Sequence, residues 1–264
     1  MQRRLGPLVI ETIEAQSPKF TAPLLLIHGL WCTAAVWRQF MGYLAHFGWS
    51  CHAVNLRGHA GSELPVPIGR VRFADYLDDV RLAIAACAAR PVVLGHDLGG
   101  LLALHCTATV PAVVALAPVL PQSMMTGANP ALSTLRARLA MWRSRPLPVP
   151  RGRLGCGYFA PRAPEGMAPD YGTVARELTH GDLRFPVGTG TPQLVLAGTA
   201  DAFSPPRDVE RLARYTGATF RQLEGAGHAL PWEPRWENRV NEIHRWLIQQ
   251  LGESLLMMRE EEEP

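Results

Sequence analysis

Gly95-His96-Asp97-Leu98-Gly99-Gly100 decides how this chain folds. The hexapeptide follows the apolar run Val92-Val93-Leu94 and leads into the helix-like stretch 98–109, so it reads as the turn between a buried strand and a helix. Three glycines suit a turn whose apex sits in a strained backbone region and whose flanks pass close to other backbone. The apex residue is Asp97. A carboxylate is already anionic at neutral pH and attacks without a base. Its targets are electrophilic sp³ carbons, such as an epoxide carbon or one bearing a halide, and the product is a covalent ester. The helix starting at Leu98 points free N–H groups and a positive dipole end at the carboxylate, which favours the ionised form and supplies oxyanion donors. The competing reading of Asp97 is a simple helix N-cap.

Other stretches complete a pattern. Leu194–Ala197 reads as a buried parallel strand that runs into Gly198-Thr199-Ala200-Asp201-Ala202-Phe203-Ser204-Pro205. The strand 218–223 ends in Glu224-Gly225-Ala226-Gly227-His228, and Leu24-Leu25-Leu26-Ile27 ends in His28-Gly29-Leu30-Trp31. Together these motifs resemble the α/β-hydrolases, in which nucleophile, acid and histidine follow in that order on loops after strands. The resemblance makes Asp201 the orienting acid and His228 the base, and takes oxyanion N–H groups from Leu30 and Leu98. Glu224 and Asp208 compete for the acid role but read as solvated surface charges. His28 reads as a brace for its loop.

Within the superfamily, the form G-H-D-x-G-G resembles the epoxide hydrolases and, less closely, the haloalkane dehalogenases. Two positions depart from those families: Leu98 stands where tryptophan usually follows the nucleophile, and Trp31 where epoxide hydrolases usually have proline. The first departure weakens the dehalogenase reading. The resemblance implies tyrosines that project from a cap and protonate the opening ring oxygen. Tyr158 and Tyr171 are the candidates, and Trp31 and Trp142 are candidate pocket-lining residues. The expected function is an epoxide hydrolase with an Asp-His-Asp triad acting on a small or natural-product epoxide. A dehalogenase, an ester, lactone or acyl hydrolase with Asp97 as base, and a non-catalytic binding protein are the alternatives.

The implied fold is α/β, a mostly parallel sheet covered by helices on both faces, with a mainly helical cap. Its expected division is a core at 1–118, a cap insertion at 119–190, the rest of the core at 191–252, and a disordered acidic tail at 253–264. A strand or hairpin is expected near Leu8–Glu14 and strands at 24–27, 51–55, 92–95, 112–117, 194–197 and 218–223. Helices are expected at 34–47, 73–89, 98–109, 206–215 and 235–251. The 264 residues, 47% hydrophobic, suffice for a large core.

A net charge of +3 is too small to imply a nucleic-acid partner, and no apolar stretch approaches a membrane span, so no membrane partner is expected. A cytoplasmic protein acting on a small molecule, without cofactor or metal, is the expectation. Arg136, Arg138, Arg143, Arg145, Arg151, Arg153 and Arg162 crowd the insertion near a single acid, Glu165. They read as a solvated face or as an attractor for an anionic or carrier-bound substrate. The five cysteines have no metal-ligand spacing and read as reduced thiols.

Overall fold

The first strands, β1 (Gln2–Leu5) and β2 (Leu8–Ile13), form a hairpin that reverses through Gly6-Pro7, with Gly6 at φ +54°. β3 (Leu24–Ile27) and β4 (Cys51–Asn55) flank α1 (Arg38–His46), which a 3₁₀ turn at Ala34–Trp37 precedes. α2 (Phe73–Ala85), β5 (Val92–His96), α3 (Leu98–Leu104) and β6 (Val113–Leu116) follow. Between β6 and the next sheet strand the chain forms α4 (Leu135–Trp142), β7 (Pro146–Leu147), α5 (Gly152–Phe159), β8 (Asp170–Tyr171) and α6 (Gly172–His180). It closes with β9 (Gln193–Gly198), α7 (Pro206–Thr216), β10 (Thr219–Leu223) and α8 (Trp236–Leu251). This computed structural model describes residues 1–252, so the expected acidic tail lies outside the described residues.

The main sheet has the strand order β1-β2-β4-β3-β5-β6-β9-β10. Pairing is parallel from β4 to β10 and antiparallel at β1-β2 and β2-β4. β3, β4, β5 and β6 are buried at every position, and β3 and β6 accordingly read in the sequence as unbroken apolar runs. From β3 the chain steps one way to β4, then returns past β3 to β5 and onward. Right-handed crossovers therefore put α1 on one face and α2, α3 and α7 on the other. α8 packs on α1, and α3, buried at all seven residues, lies under β5 and β6.

The reversal of direction falls between β3 and β5. In an open parallel sheet this switch point opens a crevice beyond the carboxyl ends of the strands. Those ends carry His28-Gly29-Leu30 and Asp97, and the loops after β9 and β10, which carry Asp201 and His228, leave from the same edge.

Candidate active site

Asp97 caps α3 with φ 53° and ψ −116°, the left-handed region that a non-glycine residue enters only when its surroundings hold it there. Those surroundings are tight. A Cβ on Gly99 would strike the carbonyls of Ile27 and His28, and one on Gly29 would come within 2.6 Å of the Asp97 Cβ. The elbow thus packs backbone to backbone against the loop after β3. That proximity lets the Leu30 N–H donate to Asp97 Oδ2 at 2.7 Å. Leu98, as the first residue of α3, has an N–H outside the helix ladder.

The structure brings the side chains of Asp201 and His228 together beside Asp97. His228 Nδ1 donates to Asp201 Oδ2 at 2.8 Å, and His228 Nε2 lies 3.6 Å from Asp97 Oδ1. Asp201 Oδ1 accepts from the N–H groups of Phe203 at 2.8 Å and Ser204 at 2.9 Å, so the acid is fixed by its own loop. Glu233, paired with Arg239 at 3.0 Å, accepts the Gly227 N–H and steadies the loop before the histidine. His96 Nε2 donates to the His228 carbonyl at 2.8 Å. Of the rival acids, Glu224 is exposed. Asp208 is buried, against expectation, but it accepts from the N–H and hydroxyl of Thr126 rather than from His228.

Electrostatics set the resting protonation state. Burial alone favours a neutral Asp97, but the His228 imidazolium beside it holds the carboxyl below the ordinary range. Burial likewise opposes charge on His228, yet Asp201 and Asp97 on either side outweigh it and raise its pKa to about 10. His96 is pushed down to about 4 by burial and then by His228, and is neutral. His28 falls to about 3 through burial and the neighbouring His59. As a neutral ring it donates from Nδ1 to the Gly29 carbonyl at 2.9 Å and accepts the Leu56 N–H at 3.1 Å, the bracing role its position suggests.

The four remaining candidates divide. Tyr158 on α5 sets its ring against that of His228, tilted by 51° with centroids 4.4 Å apart, and is enclosed by Trp31, Phe159 and Phe203. Tyr158 Oη, Asp97 Oδ1 and His228 Nε2 are all buried without a hydrogen-bond partner. Burial and then the Asp97 charge push the Tyr158 phenol well above its ordinary pKa. Tyr171 does not share this place: its hydroxyl donates to the Arg57 carbonyl at 3.1 Å, because β8 lies against the loop after β4. Trp31 is buried at the site, its indole N–H donating to the Leu147 carbonyl at 3.2 Å. Trp142 does not join this cluster; it stands on α4, 72% exposed.

One participant was not singled out in the sequence. Asp170, fully enclosed, accepts from the Tyr76 hydroxyl at 2.9 Å, from its neighbour Tyr171 N–H at 2.8 Å and from the Trp31 N–H at 3.2 Å, with His59 Nε2 at 3.6 Å. Burial opposes its charge, but His59 and these donors keep its pKa low. Trp31 takes φ 60° and directly follows Leu30, whose N–H meets Asp97. Asp170 therefore holds the turn at the position where epoxide hydrolases usually carry proline. Its only sequence signal was an acid set in Pro169-Asp170-Tyr171-Gly172 without a cationic neighbour.

A model of the alpha/beta hydrolase family matches residues 24–243. The chain belongs to that family. No match is found among curated proteins. Solved structures of similar fold include the monoacylglycerol lipase of Paleococcus ferrophilus, 20% identical with a TM-score of 0.69 over 91% of this chain and 99% of that one. Est1E of Butyrivibrio proteoclasticus, solved with ferulic acid, is 14% identical with a TM-score of 0.67 over 95% and 99%. A thermophilic esterase of Thermogutta terrifontis is 21% identical with a TM-score of 0.65 over 92% and 94%. At these identities the likeness is one of fold. This alpha/beta hydrolase has no described helix long and apolar enough to cross a membrane.

Proposed function

We propose that this hydrolase opens epoxides through a covalent ester on Asp97. The observation that carries the reading is the division of labour between the two carboxylate oxygens. Oδ2 rests in the oxyanion notch on the Leu30 N–H, while Oδ1 is unpaired and faces the unpaired Tyr158 hydroxyl and His228 Nε2. A nucleophilic oxygen, a proton donor and a base thus meet around one point.

The chemistry follows from these groups. Asp97 Oδ1 attacks an epoxide carbon, the ring C–O bond breaks towards oxygen, and Tyr158 protonates that oxygen. A phenol is ordinarily a stronger acid than the alcohol formed, and the Asp97 charge that helps to raise the Tyr158 pKa is consumed as the ester forms. Esterification removes the negative charge of Asp97, one of the two charges that raise the His228 pKa. His228 then returns a proton to Tyr158 and becomes neutral. In the second half it takes a proton from water, and the hydroxide attacks the Asp97 ester carbon. The amides of Leu30 and Leu98 hold the oxyanion. Collapse releases the diol, which takes its proton from His228. The new Asp97 carboxylic acid passes its own proton to His228, restoring the starting state.

Dehalogenation uses the same nucleophile but needs no proton, so it leaves the placement of Tyr158 unused. Ester hydrolysis, the activity named for the fold relatives, would leave Asp97 without a covalent role or make it an anhydride. The test incubates the His228→Gln variant with epoxides, haloalkanes and p-nitrophenyl esters and reads intact mass. The proposal expects an adduct equal to the epoxide mass, retained because the second half has lost its base. An adduct from haloalkanes alone, or no adduct with any epoxide the wild type consumes, refutes it.

A further inference from the structure

One surface helix is apolar on both faces. On α4, Ala137, Ala140 and Met141 pack inward, while Leu135, Leu139 and Trp142 on the other side are 73%, 42% and 72% exposed. The spacing i, i+4, i+7 aligns those three in a single stripe. A surface helix ordinarily turns polar side chains to water, and a contiguous exposed apolar stripe marks a contact surface. The stripe borders a groove of about 560 Å³ between α4 and α6, walled by Arg138, Arg176 and His180.

The rim is strongly basic. Arg136, Arg138, Arg143 and Arg145 are exposed, and none forms an ion pair with another described residue. The Arg143 guanidinium lies 5.4 Å from the Trp142 ring centroid. The nearby acid on α6, Glu177, is engaged elsewhere, accepting the Phe73 N–H at 2.8 Å and facing Arg72. An apolar stripe framed by uncompensated cations has the complement of an anionic, amphiphilic surface.

We propose that this face of α4 seats the protein on an anionic lipid bilayer. Leu135, Leu139 and Trp142 enter at headgroup depth, and the flanking arginines contact lipid phosphates. This is peripheral attachment, and it replaces the expectation of no membrane partner drawn from the absence of a spanning segment. The extent of the stripe favours lipid over protein. Three side chains on two turns of a convex helix offer a few hundred Å² of apolar surface, short of the roughly 800 Å² per partner of a standard protein interface. A bilayer needs less, because each arginine adds attraction to the charged surface and its stem, like the tryptophan ring, spans apolar and wet layers. The inference is independent of the reaction assigned to Asp97.

The experiment is co-sedimentation of the full chain with vesicles of phosphatidylcholine, with or without phosphatidylglycerol. The expected result is binding to the phosphatidylglycerol vesicles alone, weakening as salt rises. The triple variant Leu135→Ser, Leu139→Ser, Trp142→Ser and the double variant Arg138→Gln, Arg143→Gln should each lower the partition coefficient roughly tenfold or more. Because all five side chains are exposed, thermal unfolding should stay unchanged, which separates lost docking from lost fold. Wild-type protein that stays in the supernatant, or variants that sediment as well as wild type, overturn the proposal. A dimer in sedimentation velocity that the triple variant converts to monomer assigns the face to a second copy instead. Binding that arises only when Glu260, Glu261, Glu262 and Glu263 are all changed to Gln assigns it to the chain's own acidic end. Either of these also overturns it.

Discussion

Tyr158→Phe separates catalysis from stability more cleanly than any other change at this site. The ring is enclosed by Trp31, Phe159, Phe203 and His228, and phenylalanine keeps those contacts. What is lost is a buried hydroxyl that has no hydrogen-bond partner in the resting protein. Leaving such a group unsatisfied costs about 1–3 kcal/mol, so removing it should leave stability unchanged or raise it by roughly 1 kcal/mol, a melting rise of about 2–3 °C. Activity should move the other way. Loss of the general acid lowers the rate of epoxide opening by roughly 10²-fold or more, which is about 2.7 kcal/mol in the barrier. The assay pairs differential scanning calorimetry with single-turnover alkylation of Asp97 by an epoxide, followed by mass. Alkylation at the wild-type rate would remove Tyr158 from the chemistry. A melting temperature several degrees lower would show that the hydroxyl is bonded and that its packing, not its proton, accounts for the loss.

Asp170→Asn keeps the shape but removes the charge that holds the Trp31 N–H and His59. It should lower kcat about tenfold by loosening the turn that carries the Leu30 donor, with KM little changed, and a loss confined to KM would contradict that role. The pH dependence of stability follows from His228. Its folded pKa of about 10 lies above the ordinary 6.5, so its contribution is full below about 6.5 and disappears as pH rises towards 10. The melting temperature of wild type relative to His228→Gln should therefore fall between pH 7 and 10, and a constant difference would show that His228 is neutral at rest.

The central sheet was legible because its buried parallel strands are short, largely apolar segments bounded by glycine-, proline- or asparagine-containing turns. Leu24–Ile27 and Cys51–Asn55 form with the bounds the sequence suggests. Helix ends were less legible. α2 stops at Ala85 rather than 89, giving way to a turn ahead of Pro91, and α3 stops at Leu104, where Thr107 and Thr109 pass into a 3₁₀ turn. Asp97, Asp201 and His228 could be read because each sits in a loop directly after a strand, where chain order fixes place. Tyr158 and Tyr171 could not be told apart. Both stand in glycine- and proline-rich surroundings, and what separates them is a contact from Tyr171 to Arg57, 114 residues away. Asp170 was missed for the same reason, since its partners Trp31, His59 and Tyr76 come from three distant loops and helices. That Trp142 stands apart from Trp31, on the exposed side of α4, could not be read, because local sequence does not tell which face of a helix meets the core when both faces are apolar.

The most direct test of the covalent route is a single turnover in H₂¹⁸O with enzyme in excess over epoxide, followed by mass analysis of the peptide containing Asp97. In the proposed route, water attacks the carboxyl carbon of the ester, so its oxygen stays with the enzyme and the diol leaves with an oxygen that was Asp97 Oδ1. One ¹⁸O is expected in Asp97 and none in the diol. Label in the diol with Asp97 unlabelled would mean that water attacks the substrate directly, and Asp97 would then be a base rather than the nucleophile.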